Sequence, residues 1–243
     1  MNGRPVNIAI FELGELPEEI SDKYPDYPEM IAQWLAPSMP EARFTGISLV
    51  RGEKAPPVDT YDGYIYSGSR YGVYDELDWL DPLKFFIRSA AGARIPQFGI
   101  CFGHQVIAEA MGGKAVKSDR GWGVGVHTYS MQLQKNRGNT KQIRIMVMHQ
   151  DQVVELPEKA QVIGGNKFCP IGAVRYPDSV LTVQFHPEFN MDYMFDLLDL
   201  RGGVTIPIER TEAARKSLSQ TSERSLIADW AADFFREQTA GPA

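Results

Sequence analysis

The amino-acid sequence predicts an α/β protein with a mostly parallel central sheet, helices on both faces of it, and a small additional antiparallel sheet. Three observations carry this. Across the first half, short apolar runs of β character alternate with one-sided helical runs through short connections, the pattern of crossovers that cover a parallel sheet. Across the second half the runs shorten and are separated by turn signals, so they extend the sheet or add an antiparallel one. No internal repeat, low-complexity tract or flexible linker breaks residues 1–243, which read as one domain.

Taken in order, Val6–Leu13 is a buried strand bounded by Gly14, and Pro25 and Pro28 interrupt the next stretch. Glu29–Leu35 is a helix stopped by Pro37 and Pro40, Phe44–Val50 the second strand, and Tyr61–Tyr66 the third, ending in Ser67-Gly68-Ser69. Leu80–Ala91 carries a helical stripe through Leu83, Phe86, Ile87 and Ala90. Pro96–Ile100 is a short buried strand, and His104–Met111 the helix after it. Gly125–Leu133, Gln142–Met148, Gln161–Gly164, Ile171–Tyr176 and Leu181–Phe185 are short strands. Asp192–Leu200 is a helix closed by Gly202-Gly203, and the polar stretch Thr205–Ser222 reads as loop with at most one helical turn. Ser222–Gln238 is an amphipathic helix whose Leu226–Phe235 stripe packs on the core.

Composition narrows the function. The apolar fraction of 43% is that of an ordinary folded chain, and the net charge of −6 with no basic run argues against duplex nucleic acid or an anionic membrane as partner. No apolar stretch reaches membrane-span length and the start lacks a signal-peptide core, so a cytoplasmic protein is expected. Two cysteines, Cys101 and Cys169, make no disulfide framework, and no Cys/His cluster has zinc spacing. Neither a metal nor a cofactor is expected.

The chemistry concentrates in Ile95–Gln105, IPQFGICFGHQ. A buried strand runs into Gly99-Ile100-Cys101-Phe102-Gly103 and a helix follows at once, the glycine-flanked turn that presents a nucleophile, here with cysteine in the central place. The helix N-terminus favours thiolate over thiol, and its unpaired N–H groups can stabilise an oxyanion. A cysteine nucleophile needs a base, and four histidines are available. His104 sits on the helix after Cys101 and is expected to be a buried hydrogen-bonding residue pointing away. His127 has no nearby carboxylate and a structural role. His149 either lines a pocket or is solvated at a strand end. His186 follows the strand LTVQF, is fixed by Pro187, and has Glu188 two positions on, where a carboxylate can set its tautomer. Cys169 lacks the helix-terminus setting and reads as packing.

With these residues in view, the sequence resembles the class I (triad) glutamine amidotransferase family, whose fold is flavodoxin-like. GICFGHQ resembles the family's nucleophile motif and QFHPEF its His-x-Glu motif, while YIYSGSRYGVYD, GWGVG and MHQDQVVELP match weaker signatures in the same order. The resemblance covers roughly residues 6–195 and is greatest to the stand-alone, GMP-synthase-like branch, which also includes plant γ-glutamyl peptidases. It implies that Cys101 attacks the γ-carboxamide of glutamine and that His186 moves the proton, oriented by Glu188. It implies backbone N–H groups of Gly68 and Phe102 as the oxyanion hole, and Gln105 as a contact to the bound glutamine. His149 belongs to the segment beside the glutamine pocket.

The turn departs from the family's Ser-Gly-Ser-Pro in placing Arg70 where proline stands; Arg70 is either a solvated side chain or a fork for a substrate carboxylate. Trp122, between glycines, either packs under the site or walls it. No P-loop or ATP-pyrophosphatase motif is present, so ammonia would go to a separate synthetase or acceptor subunit. The substrate is then glutamine or a γ-glutamyl compound. A γ-glutamyl peptidase using the same three residues is the close alternative, and a catalytically silent binding module the distant one.

Overall fold

The computed structural model describes residues 5–133, 140–177 and 179–239. Its first half follows the alternation of the sequence: β1 (Val6–Glu12), α1 (Tyr27–Leu35), β2 (Ala42–Ser48), β3 (Gly63–Tyr66), α2 (Leu80–Gly92), β4 (Gln97–Ile100) and α3 (Phe102–Ala110). Then come β5 (Lys114–Lys117), β6 (Gly123–Met131), β7 (Lys141–His149), β8 (Asp151–Glu155), β9 (Gln161–Gly165), β10 (Ala173–Tyr176) and β11 (Val180–Val183). Three helices complete the chain: α4 (Met191–Arg201), α5 (Ile208–Ser217) and α6 (Arg224–Thr239). Among the described residues no helix is long and apolar enough to cross a membrane.

The main sheet has the order β2-β1-β3-β4-β11-β10-β9-β6-β7. Its first five strands are parallel, and the pairings from β11 onward are antiparallel. The expected mostly parallel sheet is therefore a mixed one. Three residues separate β10 from β11, and so short a link permits only a hairpin, whereas parallel neighbours need a crossover. The expected small antiparallel sheet exists, but it pairs β5 with β8, two segments the sequence pattern does not mark as strands.

Alternation along β1 sends its side chains to two cores. Ile8 and Ile10 join Ile31 and Trp34 of α1 with Trp230 and Phe235 of α6. Ala9 and Phe11 join Leu83 and Phe86 of α2 with Val106 and Ile107 of α3. A third cluster packs Tyr193 and Leu197 of α4 and Ala214 of α5 on Val124, Val126 and Met146 of the antiparallel half. The α6 stripe is thus core, as its spacing predicts.

Two expectations fail for local reasons. Pro28, read as an interruption, lies in the first turn of α1, where a missing N–H costs nothing and Asp26 caps the Glu29 N–H at 2.9 Å. Residues 208–217, read as loop, form α5, which buries little beyond Thr211 and Ala214. That helix packs on Gly125 of β6, where a Cβ would lie 2.7 Å from the Ala214 Cα.

Candidate active site

β3, β4 and β11 are neighbours in the sheet, and the chain leaving the C-terminal end of each supplies one part of the site. From β4 the chain turns at Cys101 straight into α3. Cys101 has φ 52° and ψ −102°, a left-handed conformation that a side-chain-bearing residue adopts at a cost of order 1–3 kcal/mol. The turn is held by the Cys101 N–H donating to Val183 O at 2.9 Å and by the Gln105 N–H donating to Cys101 O at 3.1 Å. It also needs its glycines. A Cβ on Gly99 would stand 2.6 Å from the Gly103 carbonyl oxygen, and one on Gly103 would run into the Tyr66 carbonyl. Their absence lets α3 sit hard against β3 and β4.

From β11 the chain reaches His186, Pro187 and Glu188. The His186 N–H is tied to Met146 O at 2.9 Å. Its Nδ1 lies 2.7 Å from Glu188 Oε1, with both side chains buried. Nδ1–H therefore donates to the carboxylate, and Nε2 is the ring nitrogen left for Cys101. Burial works against a charged imidazole here, but the negative charge of Glu188 and of the Cys101 sulfur outweighs it, so the His186 pKa stands above its ordinary value. Phe189 stacks on the ring at 4.0 Å and 11°. Arg224, at the start of α6, donates from Nε to the Pro187 carbonyl at 2.9 Å and from Nη2 to the Glu188 carbonyl at 3.0 Å. One guanidinium thus grips the backbone on which the imidazole and carboxylate are mounted.

From β3 the chain enters Ser67-Gly68-Ser69. A Cβ on Gly68 would come within 2.9 Å of His186 Cε1 and 3.7 Å of Cys101 Cβ, so this turn lies against both. Among the described residues neither the Gly68 nor the Phe102 N–H donates to a backbone acceptor.

A cavity of about 370 Å³ opens over Cys101. Gln105 and His149 line it, as do Arg70 and Trp122, so Trp122 is a wall of the cavity. Gln105 donates from Nε2 to Asp151 O at 3.1 Å and to Gln184 Oε1 at 3.2 Å, pinning the β7–β8 turn. His149 donates from Nδ1 to the Asp151 carbonyl at 3.0 Å, and burial pulls its pKa down to about 3. Its Nε2 is a buried acceptor without a partner among the described residues. Arg70 is exposed at the rim and rests over the Tyr71 ring, 5.2 Å from its centroid. A larger apolar cavity, about 840 Å³ between residues 49–58 and α2, holds none of these groups.

The other candidates stand apart. His104 is buried; Nε2–H donates to Ile171 O at 3.1 Å, which makes Nδ1 the acceptor for the Thr182 hydroxyl at 2.8 Å. Burial takes its pKa down to about 4. His127 packs edge-on against Phe168. Cys169 is fully buried, which pushes its thiol up to about 12.

Five residues at the site escape the sequence reading: Lys117, Asp151, Phe189, Arg201 and Arg224. Asp151 lies inside MHQDQVVELP and Phe189 closes QFHPEF, so the motifs contain both, but neither motif by itself gives them a role. Arg201, at the end of α4, and Arg224, at the start of α6, lie beyond residue 195, and no local pattern ties them to a site formed before it.

Fold and site together define an α/β protein with a cysteine at a strand–helix turn beside a histidine–carboxylate pair. The chain belongs to the class I glutamine amidotransferase family, whose model matches residues 52–194, more than half of its length. It is 32% identical over 155 residues to γ-glutamyl peptidase 4 of Arabidopsis thaliana, covering 60% of this chain and 62% of that one. It is 35% identical over 136 residues to the glutamine-hydrolysing GMP synthase of Azoarcus sp., covering 52% of this chain but 25% of the synthase. The chain therefore spans less than two thirds of either relative. Among solved structures, a glutamine amido transferase from Methylobacillus flagellatus superposes with a TM-score of 0.75 at 21% identity, over 99% of this chain and 96% of that one.

Proposed function

We propose that this chain hydrolyses the γ-amide of glutamine or of a γ-glutamyl compound through a Cys101 thioester, as one catalytic unit. The observation that carries this is the meeting of the strained Cys101 turn with the His186–Glu188 pair across adjacent strands. The Cys101 thiol first gives its proton to His186 Nε2, where the nearby negative charges favour the imidazolium, and the thiolate then attacks the γ-carbonyl carbon. The carbonyl oxygen takes the developing negative charge toward the Gly68 and Phe102 N–H groups, each such donor being worth about 10²–10³ in rate. His186 then gives its proton to the departing nitrogen as the C–N bond breaks. Water, deprotonated by the same imidazole, attacks the thioester; the C–S bond breaks, and the thiolate and imidazolium return to the starting pair. Glu188 holds the imidazole and balances its charge throughout.

With glutamine the leaving group is ammonia, which a separate synthetase would consume. A peptidase reading is favoured by the relatives named γ-glutamyl peptidase and by Arg70, whose cation on the cavity rim suits a leaving group larger than ammonia. Both cysteines are free thiols, and a thiol nucleophile fits action in a reducing, cytoplasmic setting.

The test is glutamate release by the pure chain from glutamine and from γ-glutamyl dipeptides. Hydrolysis of at least one, abolished in Cys101→Ala, is expected. Activity retained in that variant, or no modification of Cys101 by a glutamine-like electrophile in the folded chain, would leave the silent-module reading in its place.

A further inference from the structure

The charges of the Cys101 cavity are unevenly matched. Two carboxylates, Asp75 and Asp151, and three cations, Arg70, Lys117 and Arg201, line it. The carboxylates are already engaged: Asp75 Oδ2 accepts the Gly72 N–H at 2.8 Å, and Asp151 Oδ2 accepts the Tyr74 hydroxyl at 2.8 Å. Lys117 acts electrostatically on Asp151. The two guanidinium groups form a separate set. Both line the Cys101 cavity, and each acts electrostatically on Tyr27, which also feels Cys101 and Glu188; Arg70 feels Glu15 as well. Among the described residues neither makes a salt bridge. Stacking on Tyr71 holds Arg70 in place, with Nη2 3.2 Å from the Tyr71 hydroxyl. Arg70 also lines a second, separate cavity of about 420 Å³, whose wall includes Glu15, Glu18 and Asp26.

Ammonia needs neither this space nor this charge, and the single carboxylate of a glutamyl head group does not call for two guanidinium groups and an ammonium. We propose that Arg70 and Arg201 form a carboxylate subsite, and that the substrates taken here are γ-glutamyl peptides whose leaving residue carries a free carboxylate. The inference rests on the reading that Cys101 hydrolyses a γ-glutamyl amide and adds the feature that selects among such amides. Guanidinium is suited to the task because its planar fork pairs both oxygens of a carboxylate.

The experiment measures binding, so that it stands apart from turnover. Calorimetry of the Cys101→Ala chain compares γ-glutamylglycine with γ-glutamylglycinamide, which keeps the glutamyl head group and loses only the terminal charge. The free acid should bind roughly 10- to 100-fold tighter, the worth of a charge-assisted hydrogen-bonding pair. Adding Arg201→Gln or Arg70→Gln should bring the two ligands to within about threefold, and Arg201→Lys, with charge but no fork, should fall between. The Arg201 contacts that close the turn after α4 use its backbone carbonyl, so the fold should survive the change. Equal affinity for acid and amide, binding of neither, or a preference unchanged in both glutamine variants would overturn the subsite. Failure of the wild-type chain to hydrolyse any γ-glutamyl compound would overturn the hydrolase reading instead, whichever ligand the Cys101→Ala chain prefers.

Discussion

Acid should unfasten α3, the helix that follows Cys101, and His104 supplies a magnitude. This imidazole is neutral in the folded chain, with Nε2–H on the Ile171 carbonyl and Nδ1 accepting from Thr182, and burial holds its pKa at about 4. In the unfolded chain it titrates near ~6.5. Between those values the unfolded state binds the extra proton, so stability falls as pH drops through the interval and is intact above it. At about 1.36 kcal/mol per pH unit, the fall from 6.5 to about 4 removes about 3 kcal/mol. His149, pulled down to about 3 by burial, acts in the same direction. Glu12 and Asp151, raised by burial, act in the opposite one near the bottom of the range. His186 contributes no slope there: its pKa is raised, so its stabilisation is complete below ~6.5 and fades only as pH climbs through its folded value. The assay is urea unfolding between pH 7 and 4, monitored by tryptophan fluorescence, for the wild type and for His104→Gln. The glutamine amide keeps the donor to Ile171 and cannot titrate. The wild type should lose about 3 kcal/mol more than the variant over this range. Parallel stability profiles for the two proteins would refute the argument.

The geometry sets four further outcomes. Cys101→Ala should abolish hydrolysis with the fold kept, and Cys101→Gly, which relieves the positive φ, should be the more stable of the two by about 1 kcal/mol in thermal unfolding. Gly103→Ala should lower stability by roughly 1–3 kcal/mol, because its Cβ meets the Tyr66 carbonyl rather than a side chain that can move. Glu188→Gln removes the charge that raises His186, so the ring titration, measured by NMR, should move to lower pH and kcat should fall less than in Cys101→Ala. Arg224→Met should lower kcat by about tenfold or more with KM little changed, since the side chain grips the carbonyls of Pro187 and Glu188 and touches no substrate; Arg224→Lys keeps the charge but cannot span both carbonyls and should restore only part of the rate.

Much of the parallel half was legible because strand and helix there are marked by strong local signals. VNIAIFEL and PQFGI are apolar runs stopped by turn residues, and the α2 stripe recurs at helical spacing. The second half was harder for a physical reason. β5 and β8 are four or five residues long, too short to show a period. α5 buries so few of its residues that no stripe survives, and it is helical because β6 offers it a glycine-lined seat.

By itself the sequence determined the glycine-flanked Cys101 turn, the histidine–carboxylate spacing and the family, since each is written in contiguous residues whose chemistry is local. Only the tertiary structure decided the direction of the outer strands, the approach of Gly68 to both His186 and Cys101, and the delivery of Arg201 and Arg224 to the site from its last helices. Those contacts join segments tens of residues apart. They depend on sheet order and on close packing around bare backbone, neither of which any short window of residues encodes.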